Sequence, residues 1–232
     1  GVAREISALL NLQMRPIEDF LSEFPQRECA ENSIEKTENF PFNVSCHDSA
    51  GLVRYAGLYC QHVDQKPSLV KYAVRLSRVG MKPINAIVDA TNYVMLDLGQ
   101  PVHAFDTQKI SSRTLVLRFA HDQENIVLLD GQTLQLNNRD YLITDGTQPL
   151  ALAGVMGGAT ASVENETHSI FIESACFDAA LIRKTTVRHH LRTESSARFE
   201  KNLDPNVTTR AIMRLLKVFA EEGLSYKCAP EI

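Results

Sequence analysis

Several features that would assign this chain to a class at once are missing from its sequence. No stretch approaches the roughly 18 apolar residues that a membrane-spanning helix needs, and no signal or transit pattern is seen. The five cysteines are scattered and form no Cys-x-x-Cys pair, which favours a reducing compartment and argues against a zinc site. We therefore expect a cytoplasmic protein with no membrane partner and no bound metal.

Common catalytic and nucleic-acid-binding signatures are also missing. Neither Gly-x-Ser-x-Gly nor His-Glu-x-x-His occurs. With 24 Lys and Arg residues against 28 Asp and Glu residues, the formal net charge is −4. That balance argues against a protein that grips nucleic acid by a dominant basic surface, although it leaves room for a local basic patch.

The composition that is present indicates a globular protein with a full hydrophobic core. The chain has 232 residues, of which 44% are apolar and 22% are charged. It begins without an initiator Met and inside a helical pattern, so we expect a fragment of a longer protein. One large domain or two small ones are expected at this length.

The periodicity of apolar residues predicts an α+β fold with a mixed, mostly antiparallel sheet and flanking helices. Little periodicity is seen over 15–49, which we interpret as a linker or an extended connection. The predicted helices cover 1–13, 67–79, 85–98, 179–190, 194–202 and 207–222. The predicted strands cover 52–63, 101–105, 114–119, 126–129, 133–136, 141–144, 150–153 and 169–177.

The segment Met81–Asp106 places polar groups among apolar ones. Its polar members are Asn85, Asp89, Thr91, Asn92, Gln100 and His103. Buried polar groups must be hydrogen-bonded, or each costs a few kcal/mol. The segment therefore indicates either a pocket with apolar walls and polar contents or a helix end and a strand with satisfied polar neighbours.

Two further places combine chemistry with a permissive backbone. Three glycines within 154–158 allow a sharp turn whose amides could cradle an oxyanion or a carboxylate, although a plain tight turn explains them equally well. Glu173 interrupts an apolar strand, where alternation places it on the same face as Phe171. It is either a pocket residue or a solvated carboxylate on an edge strand.

One locally basic stretch runs along the predicted helices near the C-terminal end. It contains Arg183, Lys184, Arg188, Arg192 and Arg198. The stretch could meet phosphate groups, or it could be an ordinary solvated helical face. The adjacent His189 and His190 point in different directions on a helix and make a poor metal pair.

Five ordered motifs together resemble the central editing domain of the bacterial phenylalanyl-tRNA synthetase β subunit. They are KPINAIVDATNYVMLDLGQPVHAFD, LLDG, ALAGVMGG, FIESACF and RHHLRTESSARFEKNLDP. The resemblance is collinear from about Leu52 to Leu216, which is most of the chain. It implies three segments, with the end of a preceding domain and a linker over 1–50, an editing domain over 51–225 and the start of a connection over 226–232.

The resemblance also implies partners and cofactors. The family enzyme is an α2β2 tetramer that joins phenylalanine to its tRNA with ATP and magnesium, and its synthetic site lies in the α subunit. We therefore expect no cofactor in this fragment and no aminoacylation by it. Its expected activity is hydrolysis of tyrosine wrongly attached to tRNA(Phe), and the alternative is a non-catalytic module that scaffolds the β subunit.

Matching residue by residue, the resemblance implies a set of site residues. Glu173 corresponds to the family residue that recognises the tyrosine hydroxyl, and Arg188 and Arg192 are possible tRNA contacts. The other expected editing-site residues are Thr91, His103, Gly157, Gly158 and Thr193. Ser195 departs from the family pattern, where a smaller residue, often alanine, is expected, so the strength of editing stays open.

Overall fold

The computed structural model describes residues 2–14 and 42–228. Its helices are α1 (Val2–Leu10), α2 (Val70–Arg78), α3 (Ala86–Leu98), α4 (Ala179–His189), α5 (Glu194–Phe199) and α6 (Val207–Glu222). The first six strands are β1 (Asn43–Cys46), β2 (Leu52–Gln61), β3 (His103–Asp106), β4 (Thr114–Phe119), β5 (Asn125–Val127) and β6 (Thr133–Gln135). The others are β7 (Tyr141–Thr144), β8 (Pro149–Leu152), β9 (Met156–Gly157), β10 (Ser169–Phe177) and β11 (Lys227–Cys228).

The strands form two main sheets and one small hairpin. Four antiparallel strands make the first sheet in the order β11-β2-β10-β3, which places β10 in the interior of the sheet. Five strands make the second sheet in the order β1-β4-β7-β8-β9, where only β1 and β4 run parallel. Strands β5 and β6 pair with each other. The predicted α+β fold with mostly antiparallel sheets is confirmed.

Alternation along β10 divides the core into two apolar clusters. Phe171, Ala175 and Phe177 belong to a cluster that includes buried apolar residues of β4, β7 and β8. Ile170 and Ile172 belong to a second cluster, formed with buried residues of α3 and α6. The four-stranded sheet therefore has the other sheet on one face and helices on the opposite face.

Helix α3 starts and ends where its sequence dictates. The Asn85 side chain accepts a hydrogen bond from the Val88 amide at 2.9 Å, which caps the first turn. At the other end Gly99 adopts the left-handed conformation that closes a helix. No helix in the described part of the chain has the length and apolarity to cross a bilayer.

Most predicted elements are confirmed, but the interpretation of 15–49 as a linker or extended connection did not include a strand. Residues 43–46 form β1, which pairs with β4, while residues 15–41 lie outside the described part. The short strands β9 and β11 were not predicted. Strand β11 brings Cys228 opposite Cys60, with the two Sγ atoms 3.1 Å apart.

Candidate active site

Two adjoining cavities lie where the sheets, α3 and α5 meet. The larger has a volume of about 460 Å³, and the smaller of about 60 Å³. The larger one is lined, among others, by Thr91, His103, Gly157, Thr193 and Ser195. The smaller shares His103, Gly157 and Ser195 with it and extends to Glu173. The structure thus brings together six of the residues singled out from the sequence, including the departure at Ser195.

Glu173 lies in the middle of the four-stranded sheet. Its register partners are Gly57 on β2 and His103 on β3, and its side chain is only 7% exposed. The alternative of a solvated edge-strand carboxylate is therefore wrong, because β10 is paired on both sides. The Tyr55 hydroxyl donates to Oε2 of Glu173 at 3.3 Å. Burial raises the pKa of the Glu173 carboxyl to about 8, against a smaller lowering effect of the Tyr55 hydrogen bond.

His103 is an uncharged imidazole at neutral pH. Burial lowers its pKa to about 4, so the ring carries one N–H donor and one acceptor nitrogen. The ring packs edge-to-face with Phe105, with 4.5 Å between ring centroids. A Cβ on Gly157 would stand 2.6 Å from Cε1 of His103, so the ring occupies space that only glycine leaves at that position.

The glycine turn offers fewer backbone amides for binding an oxyanion or a carboxylate than the sequence suggested. The turn opens at Gly154, with a φ of 69°, and continues into β9, which pairs with β8. Gly157 lines both cavities. The Gly158 amide donates to the Leu150 carbonyl at 2.7 Å, and Gly158 lines neither cavity. Gly157 is thus the glycine at the cavity wall, and the Gly158 amide is engaged within the fold.

Both threonines of the larger cavity already make hydrogen bonds inside the protein. The Thr91 hydroxyl donates to the Val88 carbonyl at 2.7 Å. The Thr193 hydroxyl donates to the Val155 carbonyl at 2.7 Å and accepts from the Ser196 amide at 3.1 Å, which caps α5. Each hydroxyl keeps lone-pair capacity for a ligand. Thr193 also fixes α5 against the strand-turn segment that carries Val155.

Most of the polar residues in 81–106 serve the fold rather than the cavities. Asp89 accepts from the Ser68 hydroxyl at 2.5 Å and the Ile84 amide at 2.8 Å. The Gln100 amide group donates to the Ala175 carbonyl at 2.7 Å. Both interpretations of this segment therefore hold in part. Polar groups with hydrogen-bond partners inside the fold surround Thr91, Asn92 and His103, which line the larger cavity.

The basic residues lie at a different place. Arg188 forms an ion pair with the buried carboxylate of Asp140. It also lines an open groove of about 950 Å³ with Arg139, Arg183 and Lys184, and this groove shares no lining residue with the two cavities. Arg192 is exposed. The part of the chain that the structure describes holds no cluster of three or more His, Cys, Asp or Glu side chains suited to a metal.

Sequence reasoning missed Tyr55, which hydrogen-bonds to Glu173 across two strands. It also gave no role to Met95, whose sulfur accepts from the Ser195 hydroxyl at 3.7 Å. Alternation along β2 shows that residues 55, 57 and 59 share a face. The register that sets this face against Glu173 depends on β10, more than a hundred positions away.

Comparison with known proteins identifies the family. A family model described as the B3/4 domain matches residues 52–222. The phenylalanine–tRNA ligase beta subunit of Geobacillus kaustophilus is 38% identical over 221 residues, covering 95% of this chain and 26% of that protein. The corresponding protein of Carboxydothermus hydrogenoformans is 36% identical over 221 residues with the same coverage. That of Staphylococcus aureus is 37% identical over 223 residues, covering 95% of this chain and 27% of that protein.

A solved structure shares the fold. An N-terminal fragment of the phenylalanyl-tRNA synthetase beta subunit from Pyrococcus horikoshii has a TM-score of 0.50 and 12% sequence identity, covering 80% of this chain and 50% of that one. The chain spans about a quarter of the length of the curated relatives it matches. With the family model covering most of its length, the chain belongs to the B3/4 domain family.

Proposed function

We propose that this chain is the editing domain of a phenylalanine–tRNA ligase β subunit and hydrolyses tyrosine that has been wrongly attached to tRNA(Phe). One observation carries the proposal. A buried carboxyl group, Glu173, stands opposite His103 in the sheet, and both line a small cavity that Gly157 also lines. Similarity to β subunits supplies the substrate class.

Tyrosine recognition follows from the cost of an unpaired polar group. A pocket that accepts phenylalanine rejects an added hydroxyl only weakly, by roughly a hundredfold. A second site that hydrogen-bonds the hydroxyl discriminates by about 10⁴, because phenylalanine leaves the buried acceptor without its partner. Glu173 supplies such an acceptor, and its bond to the substrate hydroxyl is charge-assisted when the carboxyl is ionised.

Hydrolysis in this site needs little from the protein beyond positioning. An aminoacyl ester is an activated bond, so a water held against a polarised carbonyl can attack it. The neutral imidazole of His103 can orient that water or the terminal ribose, since it offers both a donor and an acceptor. Gly157 leaves the space that the His103 ring occupies, and so allows the imidazole to stand at the cavity wall.

The proposed context is the whole synthetase. The chain would work in the cytoplasm as part of a β subunit that assembles with the α subunit into an α2β2 enzyme, where ATP and magnesium serve the synthetic site. Arg188 and Arg192 are proposed tRNA contacts. Arg183 and Lys184 are better placed in one respect, because they are exposed while the charge of Arg188 is paired with Asp140.

A non-catalytic scaffolding role is the second candidate. It is favoured by the structural bonds of the Thr193 hydroxyl, which ties α5 to the Val155 carbonyl, and of the Gly158 amide, which ties the glycine turn to β8. The Thr91 hydroxyl is likewise engaged, within α3. The juxtaposition of Glu173 and His103 at one cavity favours the editing role, because a scaffold gains nothing from a buried carboxyl that is costly to ionise.

The test is deacylation by the synthetase that contains this chain. The wild-type enzyme is expected to deacylate Tyr-tRNA(Phe) and to spare Phe-tRNA(Phe). In Glu173→Ala the ratio of the two rates should fall by about 10²-fold or more, because the hydroxyl loses its acceptor. Glu166→Ala, which removes an exposed carboxylate that lines neither cavity, is the matched control and should keep the ratio. An unchanged ratio in Glu173→Ala would refute the role given to this residue.

A further inference from the structure

The environment of Glu173 contains a phenol that belongs to the protein itself. Tyr55, Gly57 and Glu173 lie on the same face of the four-stranded sheet, because Glu173 on β10 is in register with Gly57 on β2, and Ala175 with Tyr55. Tyr55 is thus the diagonal neighbour of Glu173, at a spacing that a long side chain can bridge. Its hydroxyl reaches Oε2 at 3.3 Å.

Tyr55 acts as the donor in this pair. Burial and the neighbouring Glu173 carboxyl both raise the pKa of the Tyr55 phenol, so it keeps its proton. Among the residues that the structure describes, Tyr55 is the only one that hydrogen-bonds to the carboxyl, and it does so at Oε2. Oε1 is then the atom left for a ligand in the small cavity that Glu173 lines.

We propose that Tyr55 is a positioning residue for tyrosine specificity, whose phenol holds Oε2 of Glu173, leaves Oε1 for the substrate hydroxyl and favours the ionised carboxyl as acceptor. The proposal rests on the editing function proposed above. Two features of the pair support it. A held carboxyl has already lost the rotamer freedom that a free one gives up on binding. A donor to the carboxylate also stabilises the charged form that accepts from a substrate phenol.

The charged and titratable surroundings of Glu173 are few. Tyr55 faces it from β2 and His103 from β3. The lining residues from β7, β8 and β9 are not titratable, and α5 contributes Glu194 to the larger cavity only, where it is paired with Arg198. His103 stays neutral above about pH 4, so it does not change charge in the range where Glu173 ionises.

Tyr55→Phe in the whole synthetase tests the proposal, because it removes one oxygen and keeps the ring. The measured quantity is the ratio of Tyr-tRNA(Phe) to Phe-tRNA(Phe) deacylation between pH 6 and 9. In the wild type this ratio should rise with pH as Glu173 ionises. In Tyr55→Phe the midpoint of that rise should move up by about 1 pH unit, because the lost hydrogen bond is stronger to the charged than to the protonated carboxyl and only this difference moves the midpoint. The ratio at neutral pH should fall several-fold.

Tyr59→Phe is the matched control. Tyr59 lies on the same strand and face and is half-buried, and its ring stacks on Phe42 with 6.3 Å between centroids. Within the described part of the chain, no hydrogen bond joins Tyr59 to Glu173. The ratio of the two deacylation rates and the midpoint of its rise with pH should therefore both match the wild type. Replacing Tyr55 by 3-fluorotyrosine, a stronger donor, should move the midpoint in the opposite direction, which guards against a misfolded Tyr55→Phe protein.

The possible outcomes distinguish the positioning role of Tyr55 from the editing function on which it rests. A Tyr55→Phe enzyme with an unchanged ratio and midpoint, or with equal loss of both rates at an unchanged midpoint, would overturn the positioning role while leaving the editing function intact. A wild-type enzyme without preference for the tyrosyl ester, or a Glu173→Ala enzyme that keeps the preference, would overturn the editing function and this inference with it.

Discussion

The burial of Glu173 is unfavourable for folding but favourable for recognising a substrate hydroxyl. Its place between two paired strands makes ionisation unfavourable, and this is what raises its pKa to about 8. The same dry surroundings strengthen any hydrogen bond that it accepts. A carboxyl in bulk water would be cheaper for the fold and useless for telling a phenol from a phenyl ring.

The raised pKa predicts a dependence of stability on pH. Between pH 4.5, the ordinary value, and about 8, the folded chain binds more protons at Glu173 than the unfolded chain does, so stability falls as pH rises. His103 has the opposite effect between about pH 4 and 6.5, where the unfolded chain binds more protons. From pH 6.5 to 8, therefore, only the Glu173 effect operates in this pair.

Denaturant unfolding at pH 6.5 and pH 8 checks this expectation. Relative to Glu173→Gln, the wild-type free energy of unfolding should fall by up to about 1.4 kcal/mol per pH unit in this window. Glu166→Gln changes an exposed carboxylate and should leave the wild-type slope unaltered. A wild-type slope equal to that of Glu173→Gln would show that the carboxyl ionises as easily in the folded chain as in the unfolded one.

At the residue scale, the sequence predicted which residues line the small cavity but did not predict the hydrogen bond that holds Glu173. Motif similarity was sufficient to select Glu173, His103 and Gly157, which the structure brings to one small cavity. Tyr55 carries no motif, and its role depends on strand register. That register is set by packing of whole faces, which is not visible in the residues around Tyr55.

Among the elements, strand β9 offers the sharpest test of packing. Gly157→Ala would place a methyl group 2.6 Å from Cε1 of His103 and 3.0 Å from Cδ1 of Leu129. We expect the imidazole to be displaced, the fold to lose about 1–3 kcal/mol and hydrolysis of both esters to decline together. The free energy of unfolding and the two deacylation rates are the measurements.

A double-mutant cycle with His103→Ala identifies the contact responsible. Without the ring, the alanine at position 157 should cost clearly less stability than it does in the wild-type background. Strictly additive costs would mean that the clash lies elsewhere, for example with Leu129.

The predictability of the elements follows their length and the range of their contacts. Strands β4, β7 and β10 and helix α6 match their predicted bounds because each shows its own apolar period or turn boundaries. Strands β1, β9 and β11 have two to four residues each and were missed. Such short strands are defined by partners far along the chain, as β1 is by β4, and single-strand periodicity cannot reveal them.

For the molecule as a whole, residues that precede the predicted domain start at 51 and the family match at 52 belong to the same packed unit. Phe42 is 1% exposed and stacks on Phe171 with 5.1 Å between ring centroids, and β1 follows it directly. Phe42→Ala should therefore lower the free energy of unfolding by about 3–5 kcal/mol.

Leu12→Ala provides the comparison, because Leu12 is 58% exposed and its truncation should change stability by no more than about 0.5 kcal/mol. Urea unfolding of the two variants beside the wild type decides the matter. Equal stability of Phe42→Ala and the wild type would place the true boundary of the unit at the start of β2.

The two walls of the small cavity belong to different sheets. Glu173 and His103 come from the four-stranded sheet, while Ala151 and Gly157 come from the five-stranded one. The gap between them is consequently set by spacer side chains between the two sheets that no substrate would touch, such as Tyr141 and Phe177, whose ring centroids are 6.3 Å apart. Substitutions at these spacer positions would change the width of the cavity, and with it the substrate selectivity, without touching any reacting atom. Mutating only the lining residues would therefore miss part of what determines selectivity.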